Sequence, residues 1–144
     1  MGVILDSSSL IAAERQRFDL AGFLSAHHDE LFFITVITAS ELLHGCARAT
    51  DASVRARRAR FVGDVLNDYS VLPLNLAEAR EHAQLWAELE MKGTLIGERD
   101  LLIAAIAKAA GHSLATLNRG EFSRVPGLAL LDVAAFVWPT VPGR

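Results

Sequence analysis

The chain has 144 residues, a formal net charge of −3 and 51% hydrophobic side chains, enough to bury one substantial core and too apolar for a disordered segment. No apolar run approaches the roughly 20 residues needed to cross a bilayer, and the start MGVILDSSSL lacks the basic region of a signal peptide. The lone Cys46 excludes an internal disulfide. We therefore expect a single domain over 1–144, in the cytoplasm, with Cys46 as a small buried side chain.

In chain order, GVIL (Gly2–Leu5) is a continuous apolar run bounded by Asp6 and three serines, the pattern of a parallel strand buried on both faces. Asp6 then stands at the carboxyl end of that strand, just before a helix around Leu10–Arg15. In open α/β sheets this edge is where ligands bind, although aspartate is equally a favoured helix cap. A second helix is expected over Leu20–His28 and a second buried strand over LFFIT (Leu31–Thr35). Thr38-Ala39-Ser40-Glu41 has the spacing of a capping box, in which Glu41 would only reach back to its own helix start. Ala52–Asn67 reads as an amphipathic helix and SVLPL (Ser70–Leu74) as an edge strand, since Pro73 cannot donate to a ladder. A long helix runs from Asn75 to about Lys92 and stops at Gly93. Leu76, Ala79, Ala83, Trp86, Ala87 and Glu90 loosely mark its apolar face.

The stretch Gly97–Phe122 is the most informative. Charged Glu98, Arg99 and Asp100 lead into an almost wholly apolar run, LLIAAIAKAA, which implies a buried helix with acid at its mouth. A carboxylate there is costly unless something pairs with it. Gly111 ends the helix, SLAT forms a short strand reaching towards Asn118, and Glu121 returns acid to the same end. A last strand over Leu128–Leu131, a helical turn near Ala134 and a Pro/Gly tail complete the chain. Helices alternating with short apolar strands imply an α/β fold, a three-layer α/β/α sandwich with a mostly parallel central sheet.

Asp6, Glu41, Asp100 and Glu121 thus occupy comparable places at strand ends or helix starts. If they converge, like charges cannot all stay ionised without compensation: pKa values rise or a hard divalent cation binds. An oxygen-only donor set favours Mg²⁺, or Mn²⁺, over zinc, and such a site can promote phosphodiester hydrolysis. His44 follows Glu41 as E-x-x-H, but a di-iron bundle needs two such motifs. His27, His28, His82 and His112 have no ligand-like spacing and read as surface or cap residues. Setting the four acids aside leaves acids and bases nearly equal in number. Arginines crowd one stretch, and Arg55, Arg57, Arg58 and Arg60 on one helix suit phosphate through their forked donors, where the commoner meaning of such a run is a solvated face.

VILDSSSL at the start, TASELLHG in the middle, IGERDLLIAAIA later and TLNRGEFSRVPGL near the end together resemble the successive motifs of PIN-domain ribonucleases, and most of all the VapC toxins of type II toxin–antitoxin pairs. The resemblance covers nearly the whole chain. It implies Asp6 and Asp100 as the principal Mg²⁺ ligands, Glu41 completing the acidic pocket, and Ser8, Thr116 and Asn118 supporting it. Glu98 stays outside the metal's immediate ligands. The family's fourth acid is usually aspartate in T-x-N-x-x-D-F, whereas this chain has Glu121, one methylene longer. The resemblance further implies an RNA substrate, a homodimer and a VapB-type antitoxin that covers the pocket with a basic side chain. Two other readings stand beside the ribonuclease: a PIN-fold protein that binds RNA or a partner without cutting it, and a phosphotransferase with Asp6 as nucleophile. The second lacks the usual D-x-D companion, because position 8 is serine.

Overall fold

The computed structural model describes residues 2–139. At its centre is a five-stranded sheet formed by β1 (Gly2–Leu5), β2 (Leu31–Thr35), β3 (Ser70–Leu72), β4 (Ser113–Ala115) and β5 (Leu130–Leu131), in the order β3-β2-β1-β4-β5. Every neighbouring pair is parallel. The mostly parallel sheet expected from the sequence is thus parallel throughout its five strands, and Pro73 follows an edge strand as its missing N–H requires.

Seven α-helices cover the two faces among the described residues: α1 (Ser7–Glu14), α2 (Leu20–Ala26), α3 (Val36–Ala47), α4 (Ala52–Asp68), α5 (Leu76–Lys92), α6 (Glu98–Ala110) and α7 (Arg119–Phe122). Side chains alternate across a strand, and β1 feeds both cores accordingly. Val3 and Leu5 pack with Leu10, Phe23, Leu42, Val62 and Val65 on one side. Ile4 packs with Leu85, Leu89, Ile103 and Phe122 on the other. These two cores are the seams of the three-layer α/β/α sandwich. On α6, Leu101 and the run Ile103–Ala107 are buried, as an all-apolar helix requires. A short 3₁₀ turn at Ala134–Phe136 follows β5, and the remainder of the Pro/Gly tail from residue 140 lies outside the described residues.

Several boundaries differ from expectation. The first helix begins at Ser7, not near Leu10, because Asp6 caps it directly. The third begins at Val36 with Thr35 as its cap, the Thr35 side chain accepting from the Thr38 amide at 3.1 Å. Glu41 therefore lies in the second turn of α3 and is no part of a capping box. Asn75 and Glu78 do form one at the start of α5. The buried face of α5 carries Leu85 and Leu89, whereas Leu76 and Trp86, taken above to mark it, face solvent at 66% and 51% exposure. Cys46 is half-buried at the end of α3. His112 is half-buried at the cap of α6, its amide donating to Ala107 O at 3.1 Å, its Nδ1 accepting the Gly2 amide at 3.1 Å and its ring stacked on Phe33.

Candidate functional site

The strand order turns back at β1: the chain runs β1-β2-β3 towards one edge and then crosses to β4 and β5 on the other side. The carboxyl ends of β1 and β4 therefore flank the crevice that open α/β sheets use for ligands. Register brings chemistry to that point. Leu5 pairs with Ala115, so the next residues, Asp6 and Thr116, leave the sheet side by side.

Asp6 is buried, at 2% exposure. Its Oδ1 accepts the Ser9 amide at 3.1 Å as the α1 cap, and Ser8 Oγ reaches both carboxylate oxygens at 2.8 and 2.9 Å. Across the sheet, Thr116 Oγ1 donates to Oδ2 at 2.5 Å. Burial raises the Asp6 pKa, opposed by the Thr116 bond first and then by the Ser9 and Ser8 bonds. Capping and site membership, alternatives in the sequence, fall to different bonds of one carboxylate. Both oxygens are held by donors, a poor arrangement for a phosphate-accepting nucleophile.

Thr116 Oγ1 in turn accepts the Asn118 amide at 2.9 Å. The Asn118 side chain extends the chain of bonds, its Nδ2 donating to Asp100 Oδ2 at 2.9 Å and to Glu121 Oε2 at 3.3 Å. Asp100, in the first turn of α6, is half-buried and its pKa is pushed up to about 7. Burial is the main cause, followed by the hydrogen bond and charge of Glu121 and then the charges of Asp6 and Glu41. Glu121 is held below its usual value, chiefly by the hydrogen bond from Asp100. The two titrate as one coupled pair, raised at Asp100 and lowered at Glu121. On the far side of Asp6, Ser7 Oγ donates to Glu41 Oε1 at 3.0 Å.

The four acids are thereby tied through Ser7, the Asp6 cap, Thr116 and Asn118 into one continuous polar edge. All their ligating atoms are oxygens, and burial, with the neighbouring acids adding to it, raises the Asp100 pKa. This chemistry fits a hard divalent cation. Among the described residues, however, no group of three or more His, Cys, Asp or Glu side chains closes tightly enough to hold an ion as it stands. The physical reason is visible in the bonds: Asp6 is turned to its hydroxyl donors, and Asp100 and Glu121 are turned to each other. Deprotonation would free the pair.

Glu98 is exposed at the start of α6. Of the α4 arginines, Arg58 lines a cavity together with Glu41, and several are engaged by the protein itself. Arg55 donates twice to Ala49 O, at 3.0 and 2.6 Å, and Arg58 donates to Gly45 O at 3.1 Å, both clamping the end of α3. Arg57 pairs with Glu14 at 3.3 Å, and Arg60 is exposed. Two residues escaped the sequence reading. Ser7 orients Glu41, and its only signal was membership of a serine run after Asp6. Gly97 caps α6 where a Cβ would stand 3.8 Å from Glu121 Oε2 and 4.0 Å from Asp100 Oδ2; its signal was a glycine next to the acid-bearing helix start.

Comparison with known proteins agrees with this architecture. The PIN domain family matches residues 3–128. Ribonuclease VapC1 of Rickettsia felis is 33% identical over 94% of this chain and 98% of its own length. Ribonuclease VapC of Rickettsia bellii is 34% identical over 92% and 97%. Among solved structures, VapBC2 from Rickettsia felis bound to a promoter DNA fragment superposes with a TM-score of 0.82 at 26% identity, covering 91% of this chain and 98% of that one. DNA-bound VapBC from Salmonella typhimurium gives 0.82 at 26% identity, over 92% and 98%. A domain match across most of the chain, relatives at a third identity over nearly full length, and the same fold make this chain a member of the PIN domain family, of the VapC ribonuclease type.

Proposed function

We propose that this protein is a metal-dependent endoribonuclease and the toxin of a type II toxin–antitoxin pair. The observation that supports this reading best is the bonding at the point where the sheet order turns back: Thr116 holds Asp6, and Asn118 bridges Asp100 and Glu121. Asp6 and Asp100 would hold Mg²⁺ or Mn²⁺, with Glu41 and Glu121 completing the pocket. When bound, the cation supplies Lewis-acid activation of water and neutralises charge on the phosphate oxygens. The chain's own groups do the rest. Ser8 and Thr116 fix Asp6, and Asn118 fixes Asp100 against Glu121. Glu41, held by Ser7, or Glu121 orients the attacking water and receives its proton. Arg57 and Arg60, with the free donors of Arg55 and Arg58, hold flanking phosphates of the RNA.

VapBC complexes among the structural neighbours support a VapB-type antitoxin as partner, with a basic side chain set among the acids in place of the cation. A homodimer is the expected assembly, working in the cytoplasm. No helix among the described residues is long and apolar enough to cross a membrane. Leu76, Trp86 and Met91, exposed at 66%, 51% and 86% along α5, are the surface that a second copy would cover.

The test is RNA cleavage by the purified chain with Mg²⁺ or Mn²⁺, abolished by chelator and by Asp6→Asn or Asp100→Asn while circular dichroism is unchanged. Asn is as good a cap as Asp, so Asp6→Asn removes charge and keeps the helix start. Full cleavage in excess chelator would exclude the metal reading. A second reading, RNA binding without cleavage, draws on the absence of a closed ligand group among the described residues. RNA that binds and is never cut at any metal concentration would favour it.

A further inference from the structure

Beside Glu41 lies a cleft of about 380 Å³ walled by Ser40, Glu41 and His44 on α3, by its C-cap Arg48 and by Arg99 on α6. Ser40, His44 and Arg48 follow one another at four-residue spacing, so they form one row along α3, rising about 6 Å per step. Arg99 faces this row from the residue before Asp100. Glu41, at the inner end, is held by Ser7. Arg48 also lines the next cavity outward, together with Arg58 and Thr50. The cleft thus runs outward from Glu41, and Arg48 stands between it and a second cavity on the α3–α4 connection, which Asp51 also lines.

Among the described arginines, Arg15, Arg17, Arg48, Arg60, Arg80, Arg99 and Arg119 form no ion pair, and of these Arg48 and Arg99 line this cleft. Arg55, Arg58 and Arg124 donate to backbone carbonyls, and Arg57 pairs with Glu14. These contacts explain their presence in structural terms. Among the described residues neither Arg48 nor Arg99 pairs with a carboxylate, and both are exposed, as is His44. Two guanidinium groups left without partners across a cleft, next to an acidic pocket that repels any polyanion, match a bound anion at that position. Planar forked donors suit a phosphate in particular.

We propose that this cleft is a subsite for a backbone phosphate of the RNA strand flanking the cleavage position, gripped by Arg48 and Arg99 with hydrogen bonds from His44 and Ser40. The proposal rests on the ribonuclease reading above and adds to it the path of the strand: along α3, between α3 and α6, and only then towards the α4 arginines. Its contribution is to binding, independent of base identity. It offsets the repulsion that the acids exert on the substrate.

The experiment measures fluorescence anisotropy of a labelled polyuridylate oligonucleotide with the full chain in chelator, across a series of salt concentrations. Four proteins are compared: wild type, the double variant Arg48→Gln/Arg99→Gln, the double variant Arg48→Lys/Arg99→Lys, and Arg80→Gln as a charge-loss control on exposed α5. Two lost phosphate contacts lower the salt slope by about 1.4, and affinity falls by about tenfold for each lost charged hydrogen bond. The lysine pair recovers the slope, and Arg80→Gln leaves it at the wild-type value. In cleavage assays on bulk transfer RNA, the loss of the glutamine pair resides in KM and is overcome by excess RNA. A glutamine double variant with wild-type affinity and salt slope overturns the subsite. A wild-type protein that never cuts RNA overturns the parent reading instead, and the anisotropy series still separates the two.

Discussion

Raising the pH of the metal-free protein from 5 to 8 removes the proton shared by Asp100 and Glu121, and we expect the fold to weaken as it leaves. The Asp100 carboxyl, at 3.8 in an unperturbed chain, is pushed up to about 7. A carboxyl that binds its proton more tightly when folded favours folding while the proton is present. That contribution is complete below 3.8 and is lost as pH rises through about 7. Glu121 shifts the other way, below 4.5, chiefly through the hydrogen bond from Asp100. Its effect falls at lower pH and leaves the window above 5 to Asp100. Between pH 5 and 7 the limiting change, at 1.36 kcal/mol per pH unit, is about 2.7 kcal/mol. Because Asp100 is half open to solvent, screening reduces this to about 1 kcal/mol. For a chain of this size that is a fall of about 2–4 °C in Tm.

Urea or thermal melts at pH 5, 6, 7 and 8 in chelator, on wild type and Asp100→Asn, measure this directly. Effects of pH elsewhere in the chain are common to both proteins and cancel in the difference. We expect the variant to have the flatter profile. Mn²⁺ should raise wild-type stability more at pH 8 than at pH 5, because at pH 5 the ion competes with the proton for Asp100. A variant with the wild-type slope, or Mn²⁺ stabilisation equal at both pH values, refutes the shared-proton account.

Thr116→Val leaves Asp6 Oδ2 short of its strongest donor inside the protein, and urea unfolding should show a loss of about 2 kcal/mol; Thr116→Ser should recover most of it. Arg58→Met removes the bond to Gly45 O at the end of α3 and is expected to lose about 1 kcal/mol, whereas Arg60→Gln leaves the melt unchanged and lowers the RNA salt slope by about 0.7. Trp86→Glu with Met91→Glu should turn a sedimenting dimer into a monomer without changing the circular dichroism spectrum, and a species that sediments as wild type would place the dimer surface elsewhere.

Much of the fold is written locally. The apolar runs of β1 and β2, the box at Asn75, and the glycine stops at Gly93 and Gly111, both in the left-handed conformation at φ 67° and 71°, need no knowledge of distant residues. The start of α3 was harder because Thr35 and Thr38 are both suitable caps, and β-branched Val36 and Ile37 could extend the strand as well as open a helix. On α5 two apolar stripes compete. Leu76, Ala79, Ala83 and Trp86 have the three- and four-residue steps of a helical stripe, as do Leu85 and Leu89, and packing against α6 decides which is buried. The four acids could be ranked from their places at strand ends. Their linkage could not, because it depends on the β1–β4 register that sets Asp6 beside Thr116 and on Asn118 reaching two carboxylates at once.

The distribution of charge argues against a purely structural role for the acids. A buried Asp6 needs donors from Ser8, Ser9 and Thr116 to be tolerated, and a neutral Asn could cap α1 as well. Replacing a buried charge by a neutral group of similar size is often neutral or stabilising. Asp100 and Glu121 add to the strain by meeting face to face, with Asn118 as the neutral donor between them. Arg124 acts on Glu121 by its charge while bonding Leu95 O, whereas Arg55, Arg57 and Arg58 are bound at the end of α3 and to Glu14, and none of them forms an ion pair with the four acids. A fold that kept these carboxylates only for stability would have placed one of those cations among them. The lack of a direct ion pair to these carboxylates among the described residues fits the proposed reading, in which their oxygens would hold a cation from solution.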